Sequence, residues 1–209
     1  MTLWTTQGIA IYRQLQQAGS AWCTKPLSCV DDSAFAIAYH WMAEQMRHRL
    51  GLPPTKEIEF PLWGWYQYNS AKDRKPPLSP HDIPKGESVF LEIDIPDHEV
   101  LLSDFSNWHA VLNLCPLVDW KRIFKKIERL DKEAGRMLNF EEYPQNIRQE
   151  ITCSWEAIFD LNRRDKDVGR KHKRNRSIQA TFWVLKSEHI ISVQFLKSDG
   201  KVIKVYDTM

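Results

Sequence analysis

Apolar side chains recur at every second position over Val89, Leu91, Ile93 and Ile95, alternating with Phe90, Glu92 and Asp94. That period predicts a strand with one buried face. It lengthens to 3.6 over Ala34, Ile37, Ala38, Trp41, Met42, Met46 and Leu50, a helix with Asp31, Asp32 and Ser33 available as N-cap and Gly51, Pro53 and Pro54 to end it. The stripe of Trp41, Met42 and Met46 reads as core. At the N-terminus, residues 3–5 suggest a short strand, and Ile9, Tyr12 and Leu15 continue it into a helix that stops at Gly19. Residues 58–68 read as another strand. Pro61 marks part of it as an edge or bulge, and Gly64 suits a close approach to its backbone.

Residues 69–85 hold Pro76, Pro77, Pro80 and Pro84 with Lys72, Arg74 and Lys75, a long irregular loop able to close over a ligand. From 119 to 161 the period is helical. Trp120, Ile123, Phe124, Ile127 and Leu130 form one stripe, and Ile147, Ile151, Trp155, Ile158 and Phe159 a second after Pro144. Residues 178–186 and 190–197 return to strand, and Asp199-Gly200 is a hairpin turn leading to 202–206. The order predicts a single α+β domain over 1–209. Its sheet is twisted, mixed or antiparallel, with helices packed against one face and a helical hairpin inserted at about 116–161.

Composition fits one folded domain: 209 residues, 43% hydrophobic. No run reaches the roughly 18 apolar residues of a membrane span, and MTLWTTQG lacks the features of a secretion signal. The expectation is a cytoplasmic protein with no membrane partner. Cys23, Cys29, Cys115 and Cys153 form no C-x-x-C pair and read as reduced packing residues. The seven histidines lack metal-ligand spacing, so no metal is expected.

Charge changes the picture more. The segment 163–177, RRDKDVGRKHKRNRS, sets eight Lys or Arg against two Asp; its local +6 leaves −4 on the rest of a chain of net +2. In the basic loop 162–177, Arg170, Lys171, Lys173, Arg174 and Arg176 are candidate contacts to the phosphates of RNA or DNA. A solvated connector is the competing reading.

The sequence holds no nucleophile elbow, phosphate loop, H-E-x-x-H or G-x-G-x-x-G. It does concentrate Ser103, Asp104, Asn107, Trp108 and His109 in LLSDFSNWHAVLN at 101–113. There His109 suits a base oriented by Asp104, or else Asp104 or Ser106 caps a short helix over 107–113 with Trp108 in the core and His109 at the surface. In FPLWGWYQY, Trp63 and Trp65 share one side of a strand, where stacking a planar ligand competes with packing.

The blocks WTTQ, AYHWMAEQM, FPLWGW, LLSDFSNWHAVLN and IQATFWVL resemble those of an uncharacterised bacterial family, domain of unknown function 3841. The resemblance spans nearly the whole chain and brings no established activity. The order of elements is also similar to that of ADP-ribosyltransferases, notably toxin-type enzymes that modify nucleic acids. That similarity implies a toxin or phage-defence effector that uses NAD, with a cognate inhibitor as a further partner. It puts Gln179 where the family's glutamate holds the ribose, with Glu188 as the nearest acidic substitute; His109 stays a catalytic candidate on the reading of its own segment alone. Trp4, Thr5, Gln7, Trp63, Trp65 and Trp108 would line the NAD cleft. Gln179 can make the ribose hydrogen bond but cannot act as a base, and Thr5 and Gln7 stand where the family's first strand carries Arg or His. The alternatives are a non-enzymatic module binding nucleic acid or a nucleotide, and a protein-interaction partner.

Overall fold

A computed structural model describes residues 1–23, 34–78, 87–163 and 176–197, with the backbone of Val202–Asp207. Seven strands form one sheet in the order β5-β6-β3-β1-β4-β8-β9. They are β1 (Thr2–Gly8), β3 (Leu62–Gln67), β4 (Ser88–Asp94), β5 (Leu101–Asp104), β6 (Ile178–Phe182), β8 (Ile190–Leu196) and β9 (Val202–Asp207). Every neighbouring pair is antiparallel. The architecture is α+β, as the change of period along the chain implies.

The alternation in β4 sets the layering. Val89, Leu91 and Ile93 are fully buried, each contributing about 1.5–3 kcal/mol of burial. They join Leu3 of β1 and Leu15 of α1 (Ile9–Ala18) in one core. Gly19 ends α1 in the left-handed conformation, φ 71°, its N–H donating to Leu15 O. The opposite face carries a second core, where Trp63 and Leu101 meet α2 (Ala34–Leu50), α3 (Phe105–Leu112) and α5 (Gln145–Trp155). Helices therefore lie on both faces rather than one. An amphipathic stripe shows that a helix packs, not which side of a sheet receives it.

α4 (Trp120–Ala134) and α5 fill the chain between α3 and β6. Glu150 joins them, accepting from Arg122 at 3.0 Å and Lys126 at 2.5 Å. No helix among the described residues is long and apolar enough to cross a membrane.

Three local expectations change. β3 is a central strand between β1 and β6, and Pro61 sits just before its first residue, where no ladder bond is required. The close approach at Gly64 is the sheet's own: a Cβ there would lie 3.1 Å from Trp4 O. Residues 178–186 split at Trp183, after which β7 (Leu185–Lys186) leaves the main sheet to pair with β2 (Ser20–Ala21). The expected α2 cap at Asp31, Asp32 and Ser33, Cys29 and the Asp199-Gly200 turn lie outside the described residues.

Candidate functional site

Pairing across the sheet aligns Ser103, Gln179, Trp65, Trp4 and Glu92 in one row. Directly opposed residues in antiparallel strands share a face, so these five side chains point to the side that carries α2, α3 and α5. The helices cover the β5–β6–β3 end of that face. Toward β4, the chain segment after β3 covers it instead, and Leu78 packs on Trp4, Phe90 and Leu196. A cleft of about 170 Å³ remains between the two covers. Trp63, Trp65, Tyr68 and Gln179 line one side, with Thr5 and Thr6 beneath and Pro76, Pro77 and Leu78 as the outer wall.

That outer wall is held in place. Tyr68 N donates to Arg74 O at 2.9 Å, and Arg74 reaches Tyr66 O at 3.1 Å and Thr2 O at 3.2 Å while lying over the Tyr66 and Trp4 rings. The expected lid is, over 69–78, a stitched wall; 79–86 lie outside the described residues.

Gln179 is the chemically open member of the cleft. Its Oε1 is buried without a hydrogen-bond partner, and so is Oγ of Ser103, its neighbour across the strand pair. Unsatisfied buried polar atoms are uncommon and each carries a desolvation cost. Trp65, on the other side of Gln179, meets Tyr68 at 5.1 Å and Phe105 at 4.8 Å, both edge-on. Thr5 donates to Trp63 O at 2.6 Å, and Gln7 Nε2 donates to Thr5 Oγ1 at 2.7 Å, fixing β1 against β3 from within the sheet.

The other candidates lie elsewhere. Trp108 is core, packed on Trp63 at 5.0 Å and on Tyr39 at 5.6 Å. Trp4 is buried beneath Arg74. Gln7 serves the sheet. His109 stands exposed on α3, its Nδ1 2.9 Å from Phe105 O, so no carboxylate orients it. Asp104 instead caps α3, accepting from Asn107 N at 2.9 Å, and its other oxygen accepts from Arg176 at 3.2 Å. Glu188 lines a separate cavity beside β7 and does not stand in for Gln179.

Arg176 corrects the nucleic-acid assignment. Its guanidinium is nine-tenths buried, bonded to Asp104 and to Arg163 O, and its own carbonyl accepts from Gln67 at 2.7 Å. It anchors the end of the basic segment and is not available to phosphates. Arg170, Lys171, Lys173 and Arg174 lie outside the described residues. Among the described residues no group of three or more His, Cys, Asp or Glu could hold a metal ion.

Sequence reasoning passes over Thr6 as a cleft residue, places Tyr68 only within the aromatic cluster of FPLWGWYQY, and notes Ser103 without giving it a role. Only the register of β1, β3, β5 and β6 brings them together. The cleft thus offers an aromatic wall and a side-chain amide to a planar ring that makes hydrogen bonds, with the Ser103 hydroxyl buried behind Gln179. Its volume suits one ring, being smaller than the roughly 300–1,000 Å³ of most drug-sized sites.

No curated protein and no solved structure matches the chain. A family model does match, over residues 2–191, a span that takes in every cleft residue. The chain belongs to the family described as domain of unknown function DUF3841.

Proposed function

We propose that the cleft binds the planar ring of a nucleotide, with NAD as the leading candidate, in an ADP-ribosyltransferase-like effector that acts on nucleic acid. The observation that carries this is the unpartnered Gln179 amide oxygen beside Trp65 and Trp63. A ring carboxamide or ribose hydroxyl donating to Gln179 would satisfy it, and the aromatic wall would supply edge or face contact. Only the ring fits within 170 Å³, so the remainder of the nucleotide stays outside the cleft. The basic segment supports a polyanionic target on electrostatic grounds, and a toxin of this kind acts in the cytoplasm beside an inhibitor protein.

A second reading has its own support: no carboxylate or histidine lines the cleft among the described residues. A site without a base binds rather than turns over, which favours a non-enzymatic nucleotide-binding module. One titration series separates the readings. NAD and nicotinamide should quench tryptophan fluorescence in the wild type, and Trp65→Ala should remove the response while circular dichroism stays unchanged. Gln179→Ala should weaken binding by about 0.5–1.5 kcal/mol. If Gln179→Glu releases nicotinamide from labelled NAD, the transferase chemistry stands. Binding without release leaves the module. Absence of any response in the wild type removes both.

A further inference from the structure

A second cavity, of about 780 Å³, opens between the β2–β7 ribbon, the C-terminal end of α2 and the following segment. Its size is that of a small-molecule site, within the roughly 300–1,000 Å³ typical of such cavities. Nothing in the Gln179 reading uses it. Trp22, Trp183, Leu50 and Ile58 form an apolar wall, and His98, Glu99, Lys186 and Glu188 contribute the charged and titratable groups.

Two observations give the cavity a chemical preference. The first is that Trp22 Nε1 is buried with no acceptor. The other cavity tryptophan is satisfied: Trp183 Nε1 donates to Gly51 O at 3.3 Å, and Arg47 lies 5.8 Å from its ring centroid. An indole N–H shut away from water needs an acceptor, and a ligand entering here can bring one. The second is charge. Lys186 Nζ is shared between Glu99 at 3.5 Å and Glu188 at 3.9 Å, so one cation faces two carboxylates. No arginine lines the cavity among the described residues, which disfavours phosphate and carboxylate ligands.

The wall carrying these groups is held firmly. Ser187 donates from N to Gly19 O at 2.9 Å and from Oγ to Leu15 O at 3.3 Å, and His189 Nδ1 accepts from Lys186 N at 3.3 Å. The backbone that carries Lys186 and Glu188 is therefore fixed before any ligand arrives.

We propose that this cavity binds an arylalkylamine. Its ring lies against Trp22 and Trp183, an oxygen or nitrogen on the ring accepts from Trp22 Nε1, and its ammonium takes a place between Glu99 and Glu188. The displaced half of the Lys186 interaction is a weak one at 3.5–3.9 Å, so the exchange leaves both carboxylates paired.

Tyramine and para-hydroxyphenylacetate test this, because they share a phenol and differ in the sign of the side-chain charge. In calorimetric titrations of the full chain, tyramine should bind about tenfold or more tighter than the acid, which the two carboxylates repel. The double variant Glu99→Gln, Glu188→Gln should erase that preference. Trp22→Phe, which keeps the ring and loses the donor, should weaken tyramine roughly two- to tenfold. In ¹⁵N-correlated spectra of the wild type, the one indole signal that Trp22→Phe removes should shift with tyramine. Equal binding of acid and amine, a preference that survives the double variant, or an unmoved Trp22 signal at millimolar tyramine would overturn the proposal. NAD binding at Gln179 is read from different residues and is unaffected by any of these outcomes.

Discussion

Ser103 and Asp104 are consecutive residues of one strand that point to opposite faces of the sheet, both buried, and their surroundings differ in kind. Asp104 is fully occupied: one oxygen caps α3 and the other holds Arg176, whose guanidinium also binds Arg163 O. Ser103 has no partner, and neither has the amide oxygen of Gln179 across from it. A buried charge left alone would be prohibitive, so the fold must complete Asp104. A hydroxyl and an amide oxygen cost less to leave open, and one of the two, Gln179, lines an aromatic cleft. One side of the strand pair is structural, and the other is where a ligand can add something.

The largest effect comes from breaking the completed side. Asp104→Ala strands the Arg176 guanidinium in the interior and removes the α3 cap, for a loss of about 3–5 kcal/mol. Asp104→Asn keeps the cap oxygen and should lose less. Urea unfolding of both variants measures this; an Asp104→Ala midpoint near the wild type would show that the pair holds nothing.

This part of the molecule was poorly legible from sequence. Asp104 and Arg176 lie 72 residues apart, and nothing local in a run of eight basic residues marks Arg176 as buried. His109 attracted attention because Asp104 was near in sequence, yet α3 directs the two apart. The same limit hid the central place of β3 and the departure of β7, since both depend on which strand arrives alongside. What sequence did convey was local. The alternation of β4, the 3.6 period of α2 and the stop at Gly19 all follow from side chains within a few positions. Trp4, Gln7 and Trp108, read as cleft residues beside Thr5, Trp63 and Trp65, are instead taken up by packing and by the sheet, and a tryptophan in a strand or helix looks the same in a cleft and in a core.

A middle case sharpens the comparison. His189 is buried, and its Nδ1 accepts from Lys186 N, so it is satisfied only while neutral. Desolvation, then the nearby Lys186 charge, lowers its pKa from the ordinary 6.5. As pH falls below 6.5 the unfolded chain takes up the proton first, so stability declines until the folded pKa is passed and is retained above 6.5. His189→Gln keeps an acceptor without the titration. Thermal melts across this range should show the wild type losing stability relative to His189→Gln on acidification. Parallel curves would mean that the imidazole charges freely in the fold.

The smallest expected effect is the most telling for the open side. Ser103→Ala removes a hydroxyl that has no partner, so folding stability should change by about 0.5 kcal/mol or less, in either direction. This contrasts with the several kcal/mol expected one residue later. If the hydroxyl serves a ligand, the same substitution should weaken NAD binding while leaving the unfolding midpoint in place. Gln179→Ala should behave alike, and the double variant should lose less than the two single losses combined if both groups contact the same ring. A Ser103→Ala variant that unfolds easily would reveal a bond to Gln179 formed by rotation of the hydroxyl, and the opposed pair would then be as structural as the Asp104–Arg176 pair behind it.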